Sequence, residues 1–143
     1  REVLESVLRD LDCLTDIVNI DACESAVECL ELLEELDANQ EYVAVLISDH
    51  VMPGKSGVDL LIDVEEDPRF LGTKKLLLTG LATQADTIRA INHAKIDYFL
   101  EKVWDPDELL QTVKELLTEF VVEKGLSYSA FVDKLDKRTL VRL

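Results

Sequence analysis

Apolar residues recur at helical spacing from Glu2 to Leu11, where Val3, Leu4, Val7, Leu8 and Leu11 fall on one face. Ile17-Val18-Asn19-Ile20 is a short β-branched run and predicts a weak strand. A second helix is predicted from Ala22 to about Leu36, with Ala26, Leu30 and Leu33 turned inward. Glu24, Glu28, Glu31, Glu34 and Glu35 crowd its remaining surface, a row that reads as a solvated face rather than a metal site. From Val43 to Asp49 the apolar run does not alternate, which predicts a strand buried on both faces. A helix from about Val58 to Glu66 stops before Pro68, and Lys75–Thr79, with Leu76-Leu77-Leu78, is again continuous. Gln84 to Ala94 is helical, Tyr98-Phe99-Leu100 is a last strand ending near Lys102, and a long helix follows. Asp105 is its N-cap, Pro106 occupies its first position, and Lys124-Gly125 closes it. One helix followed by four strand–helix units requires parallel strands with crossover helices, so the fold class is α/β with a doubly wound parallel sheet.

The 143 residues suit one domain with a short extension, and 48% hydrophobic residues suffice for a core. No apolar stretch approaches the roughly 20 residues of a membrane helix, and the first residues read as amphipathic helix rather than signal peptide, so the cytoplasm is expected. The net charge of −15 argues against direct nucleic-acid binding by this domain, because phosphate backbones are bound by basic patches. Lys134, Lys137, Arg138 and Arg142 against Asp133 and Asp136 give residues 126–143 a local +2, which leaves −17 elsewhere. That shift, beside Gly125, divides the chain into a domain over residues 1–125 and an extension over 126–143, or a linker to an effector. Cys13, Cys23 and Cys29 are odd in number, lack metal-ligand spacing and are expected as free thiols.

Asp49 closes an apolar strand and is followed by a Pro/Gly-rich turn, which places an ionised group at the carboxyl edge of the sheet, where open α/β sheets hold ligands. Thr79 and Lys102 end two further strands on that same edge, so a carboxylate, a hydroxyl and an ammonium can converge. The trio lacks a histidine with an orienting acid, a nucleophile elbow and a Gly-rich phosphate loop, which leaves a hydrolytic enzyme without a nucleophile–base pair. It suits an acyl phosphate on Asp49, with Lys102 pairing a phosphoryl oxygen and Thr79 donating a hydrogen bond.

Three segments carry a family resemblance: Leu46-Ile47-Ser48-Asp49-His50-Val51-Met52-Pro53 with Gly57, Leu76-Leu77-Leu78-Thr79-Gly80, and Phe99-Leu100-Glu101-Lys102-Val103-Trp104-Asp105. In this order and spacing, residues 2–125 resemble a response-regulator receiver domain, the phosphoacceptor half of bacterial two-component signalling. The resemblance implies a flavodoxin-like three-layer sandwich with phosphorylation at Asp49 by a histidine kinase or phosphotransfer protein. It further implies phosphoryl contacts from Lys102, Thr79 and Gly80, and a switch formed by Thr79 and Phe99. A Mg²⁺ ion would lie on Asp49 and the backbone carbonyl of Val51, and the partners would include an effector domain or protein, or a second copy in a homodimer. The alternative is a phosphate-independent pseudo-receiver acting as an interaction module.

Two departures stand out. The acidic pair that holds Mg²⁺ in the family precedes the first helix and is absent from this chain, so metal affinity and phosphotransfer are expected to collapse without it. Val103 stands where the family has proline after a cis peptide; a cis bond before valine costs ~2.5–4 kcal/mol, so a trans bond is expected. His50 and His93 are expected at the surface, and Trp104 as a packing residue.

Overall fold

The computed structural model describes residues 2–52, 54–80 and 84–142, and Pro53 of the phosphoacceptor segment lies outside them. Strands β1 (Val45–Asp49), β2 (Lys74–Thr79) and β3 (Tyr98–Glu101) form a parallel sheet in the order β1-β2-β3. Asp49 aligns with Leu78 across the first ladder, and Thr79 with Glu101 across the second. The helices are α1 (Glu2–Asp10), α2 (Ala26–Ala38), α3 (Gly57–Glu65), α4 (Gln84–Arg89), α5 (Pro106–Glu123) and α6 (Lys137–Arg142). No helix among the described residues is long and apolar enough to cross a membrane.

β2 explains why its apolar run does not alternate. Successive side chains point to opposite faces of a strand. Leu76 and Leu78 therefore pack with Val7 and Leu11 and with Leu109, Val113 and Leu116 of α5, while Leu77 packs with Val58 and Leu61 of α3 and with Ala90 and Ala94. All three leucines are essentially inaccessible, because helices cover both faces. A third cluster seats Cys29 and Leu33 of α2 on Leu60, Val64 and Phe70. The doubly wound α/β class expected from the sequence is the one observed.

Several boundaries differ from the sequence reading. Ile17–Ile20 forms no strand, so the described residues contain three strands rather than four. β-propensity becomes a strand only where a ladder neighbour exists, and among the described residues β1 is paired only with β2. Ile17, Val18 and Ile20 instead pack as irregular chain against the α1/α5 side of the core. For the same reason Val45, Leu46 and Ile47 of β1 are half-buried rather than buried. α2 begins at Ala26, four residues later than expected, because the Ser25 hydroxyl accepts from the Glu28 amide at 3.2 Å and caps it there. The helix expected over residues 84–94 changes at Ala90 into a π turn, Ala90–Ala94.

Beyond Gly125, whose φ of +69° closes α5 in a left-handed turn, the chain folds back. A 3₁₀ turn (Ser129–Lys134) and α6 place Leu135 and Leu140 against Leu117 and Val121 of α5. The fully buried Thr118 hydroxyl donates to the Lys114 carbonyl at 2.6 Å and accepts from the Asp136 amide at 2.9 Å. The Asp136 carboxylate in turn accepts from the Thr139 amide and from Gln111 Nε2, each at 2.9 Å.

Candidate phosphoacceptor site

The carboxyl edge of the sheet gathers the chemistry. Asp49 ends β1, and Lys102 follows β3 with its amide bonded to the Thr79 carbonyl at 3.0 Å, so the backbones of β2 and β3 fix where the lysine starts. Its side chain runs beside Gly80, where an added Cβ would lie 3.6–3.9 Å from Lys102 Cβ, Cγ and Cδ. Lys102 Nζ then reaches Asp49 Oδ1 at 2.7 Å, with the two side chains 27% and 22% exposed. The Val51 amide donates to the same Oδ1 at 3.1 Å. The Asp49 carboxylate is thus partly withdrawn from water, charge-paired and held by a backbone N–H.

Gly57, the first residue of α3, makes this geometry possible. A Cβ there would fall 2.1 Å from the Asp49 carbonyl oxygen, which also accepts from the Ser48 hydroxyl at 3.0 Å. The close approach lets the Gly57 amide bond the His50 carbonyl at 3.0 Å, while the His50 amide bonds the Leu78 carbonyl at 3.0 Å. The segment after Asp49 is thus clamped between β2 and α3.

Thr79 is half-buried at the end of β2, and Phe99 is half-buried against Val58, Leu61, Leu77, Ala90 and Ala94. The Val51 side chain is 56% exposed. The peptide joining Lys102 to Val103 is cis, contrary to the trans bond expected. His93 is exposed and Trp104 packs on the core with Nε1 donating to Asp10 at 2.9 Å, both as anticipated.

His50 corrects the sequence reading. It is buried, not exposed, and its Nε2 lies 3.2 Å from Asp86 Oδ2 in the first turn of α4. Asp86 also faces Arg89 at 3.6 Å, and Arg89 reaches Asp59 of α3 at 2.5 Å. That guanidinium, above all, holds the Asp59 carboxyl below the usual carboxylate range. Periodicity carries no trace of the His50–Asp86 and Asp59–Arg89 contacts, whose members lie 36 and 30 residues apart.

Mg²⁺ demands a near-octahedral shell of oxygens with carboxylates among them. The candidate ligands in this chain, Asp49 and the Val51 carbonyl, supply one carboxylate, and it is already paired with an ammonium. No group of three or more His, Cys, Asp or Glu among the described residues is placed to hold a metal. These residues alone do not fit the ion.

A family model described as the response regulator receiver domain matches residues 1–114. The chain is 33% identical over 87 residues to the hydrogenase transcriptional regulatory protein HoxA of Bradyrhizobium diazoefficiens, covering 59% of this chain and 17% of HoxA. It is 33% identical over 115 residues to the response regulator Rre1 of Synechocystis, covering 80% of this chain and 47% of that protein. The chain therefore spans less than half the length of these curated relatives. The signal receiver domain of an HD domain-containing protein from Pseudomonas fluorescens superposes with a TM-score of 0.75 at 26% identity, over 87% of this chain and 85% of that one.

Proposed function

Starting from a chain that belongs to the response-regulator receiver family, we propose that Asp49 accepts a phosphoryl group from a histidine kinase or phosphotransfer protein and that the resulting acyl phosphate changes partner binding. The observation that carries this reading is the 2.7 Å contact between Lys102 Nζ and Asp49 Oδ1. A carboxylate oxygen of Asp49 forms an O–P bond as the donor's P–N bond breaks, and the electron pair leaves on the donor imidazole. Transfer of this kind is mainly positioning and electrostatics. Lys102 orients the nucleophile beforehand and takes a phosphoryl oxygen afterwards, while Thr79, at the end of the neighbouring strand, supplies a hydrogen bond.

The new group adds about −1.5 to −2 charges, by analogy with hydroxyl phosphoesters. Moving a two-state ensemble from 1:99 to 99:1 takes ~5.5 kcal/mol. Two hydrogen bonds to a charged phosphoryl group, from Lys102 and Thr79, supply about half of that at roughly 1.5 kcal/mol each. Phe99, packed between α3 and Ala90–Ala94, would repack when Thr79 moves, and the face built on α4, β3 and α5 would change for an effector protein, an effector domain or a second copy.

Val103, where the family has proline, favours a second reading, a pseudo-receiver that binds partners without phosphate. Intact mass of the full-length protein after incubation with acetyl phosphate and magnesium separates the two. One added phosphoryl group, absent in Asp49→Asn, is the expected result; no addition at saturating donor selects the pseudo-receiver.

A further inference from the structure

We propose that His50 is a positioning residue that fastens the segment after Asp49 to the first turn of α4 through Asp86, so that the state of Asp49 is relayed to α4. The relay rests on the phosphoacceptor reading; the fastening does not.

His50 is held at three points. Its amide is fixed to β2 through Leu78, its carbonyl to α3 through Gly57, and its imidazole to Asp86 Oδ2 at 3.2 Å. Its Nδ1 is buried without a hydrogen-bond partner among the described residues. The orientation of the ring therefore depends on the Asp86 contact. With the backbone clamped on both sides, a shift of the peptide at residue 50 swings the imidazole and is felt at Asp86.

α4 is suited to receive such a signal. Ile88 is 50% exposed, and Ile91, in the π turn, 53%, so the large apolar side chains of this segment are not what secures it. Its buried apolar anchors are two small residues, Ala90 and Ala94, and both lie in the π turn. The preceding α-helical turn is attached through polar groups: Asp86 to His50, Arg89 to Asp86, and Arg89 to Asp59 of α3. Asp59 sits in the first turn of α3, where its amide is capped by the Ser56 hydroxyl at 3.1 Å. The polar contacts thus make a circuit from the residue after Asp49 across α4 and back to α3. An element attached by few apolar contacts and by directional polar ones opens locally at low free energy, and hydrogen exchange detects such opening.

Amide exchange over residues 84–94, read by mass spectrometry on the full-length protein, tests the fastening. His50→Ala and Asp86→Asn are each expected to speed exchange there by about tenfold or more, with β2 amides still protected. The double variant is expected to match the more affected single variant, because two residues acting through one contact are not additive. His50→Gln, which keeps a side-chain N–H donor, is expected to restore part of the protection. Unchanged exchange in the single variants, or additive effects in the double one, overturns the fastening. Loading with acetyl phosphate then tests the relay. Exchange over 84–94 is expected to change in the wild type and stay fixed in His50→Ala, even though His50→Ala takes up the phosphoryl group. An equal response in both proteins overturns the relay. A wild type that takes up no phosphoryl group defeats the phosphoacceptor reading instead, and leaves the fastening to be judged by the first measurement.

Discussion

Lys102 and Asp49 form an ion pair that is about a quarter exposed on each side, and pairs of that kind contribute only ~0–1 kcal/mol to stability. Under the proposed function its value lies in the chemistry. Lys102→Met is accordingly expected to leave the urea midpoint almost unchanged while lowering the rate of Asp49 phosphorylation in the full-length protein by at least about tenfold. Parallel denaturation and phosphorylation time courses check this, and a matched loss of both would make the lysine structural. Gly57→Ala should lower stability as well as phosphorylation. A Cβ placed 2.1 Å from the Asp49 carbonyl oxygen forces backbone to move, at a cost of about 3 kcal/mol, visible in urea unfolding. Cys29 offers a chemical check on packing, since burial, foremost, pushes its thiol up to about 12. At pH 8 Cys29 is expected to alkylate far more slowly than the exposed Cys13. Because the unfolded thiol ionises first, this group lowers stability as pH rises from about 9 towards about 12.

The start of α5 is the most legible helix boundary. Asp105 and Pro106 mark the start of α5, and the structure begins α5 at Pro106 with the Asp105 carboxylate accepting from the Asp107 amide. β2 and β3 were similarly plain, since uninterrupted apolar runs between turn residues leave few alternatives. The Asp49–Lys102 pairing followed from strand ends sharing one edge. What could not be read was contingent on neighbours. Ile17–Ile20 has the composition of a strand and no paired neighbour among the described residues, and His50 is buried with Asp86, 36 residues away, beside its ring. The C-terminal segment, set apart near residue 125 by its charge shift, packs its apolar residues on α5. Asp136 ties α6 down through Gln111 and Thr139, so Asp136→Ala is expected to lose about 1–2 kcal/mol. Differential scanning calorimetry checks this, and an unchanged melting temperature contradicts it.

At the scale of the molecule the sheet has two edges that pair with no further strand among the described residues, that of β3 and that of β1. Val45, Leu46 and Ile47, half-buried on that strand, add apolar surface to unpaired donors and acceptors, the combination that invites strand addition. Residues 1–143 alone are therefore expected to self-associate or borrow a strand from another copy, as read by light scattering over a concentration series; a monomer with a cooperative melt contradicts this. A second, acid-side dependence comes from the cluster in which Arg69 pairs with Glu34 at 2.6 Å and Asp67 at 2.7 Å. Hydrogen bonds from Arg69, foremost, lower both carboxyl pKa values. Their contribution is present above the ordinary carboxylate range and is lost as pH falls through the lowered values. The receiver family accounts for the arrangement of the sheet and helices, and the proposed function turns on whether Asp49 carries the phosphoryl group. Borohydride reduction of the acetyl-phosphate-treated full-length protein, followed by tandem mass spectrometry, reads this directly, because reduction converts an aspartyl phosphate to homoserine. Homoserine at position 49 and nowhere else is the predicted result; an unmodified Asp49, or reduction at another aspartate, contradicts the account.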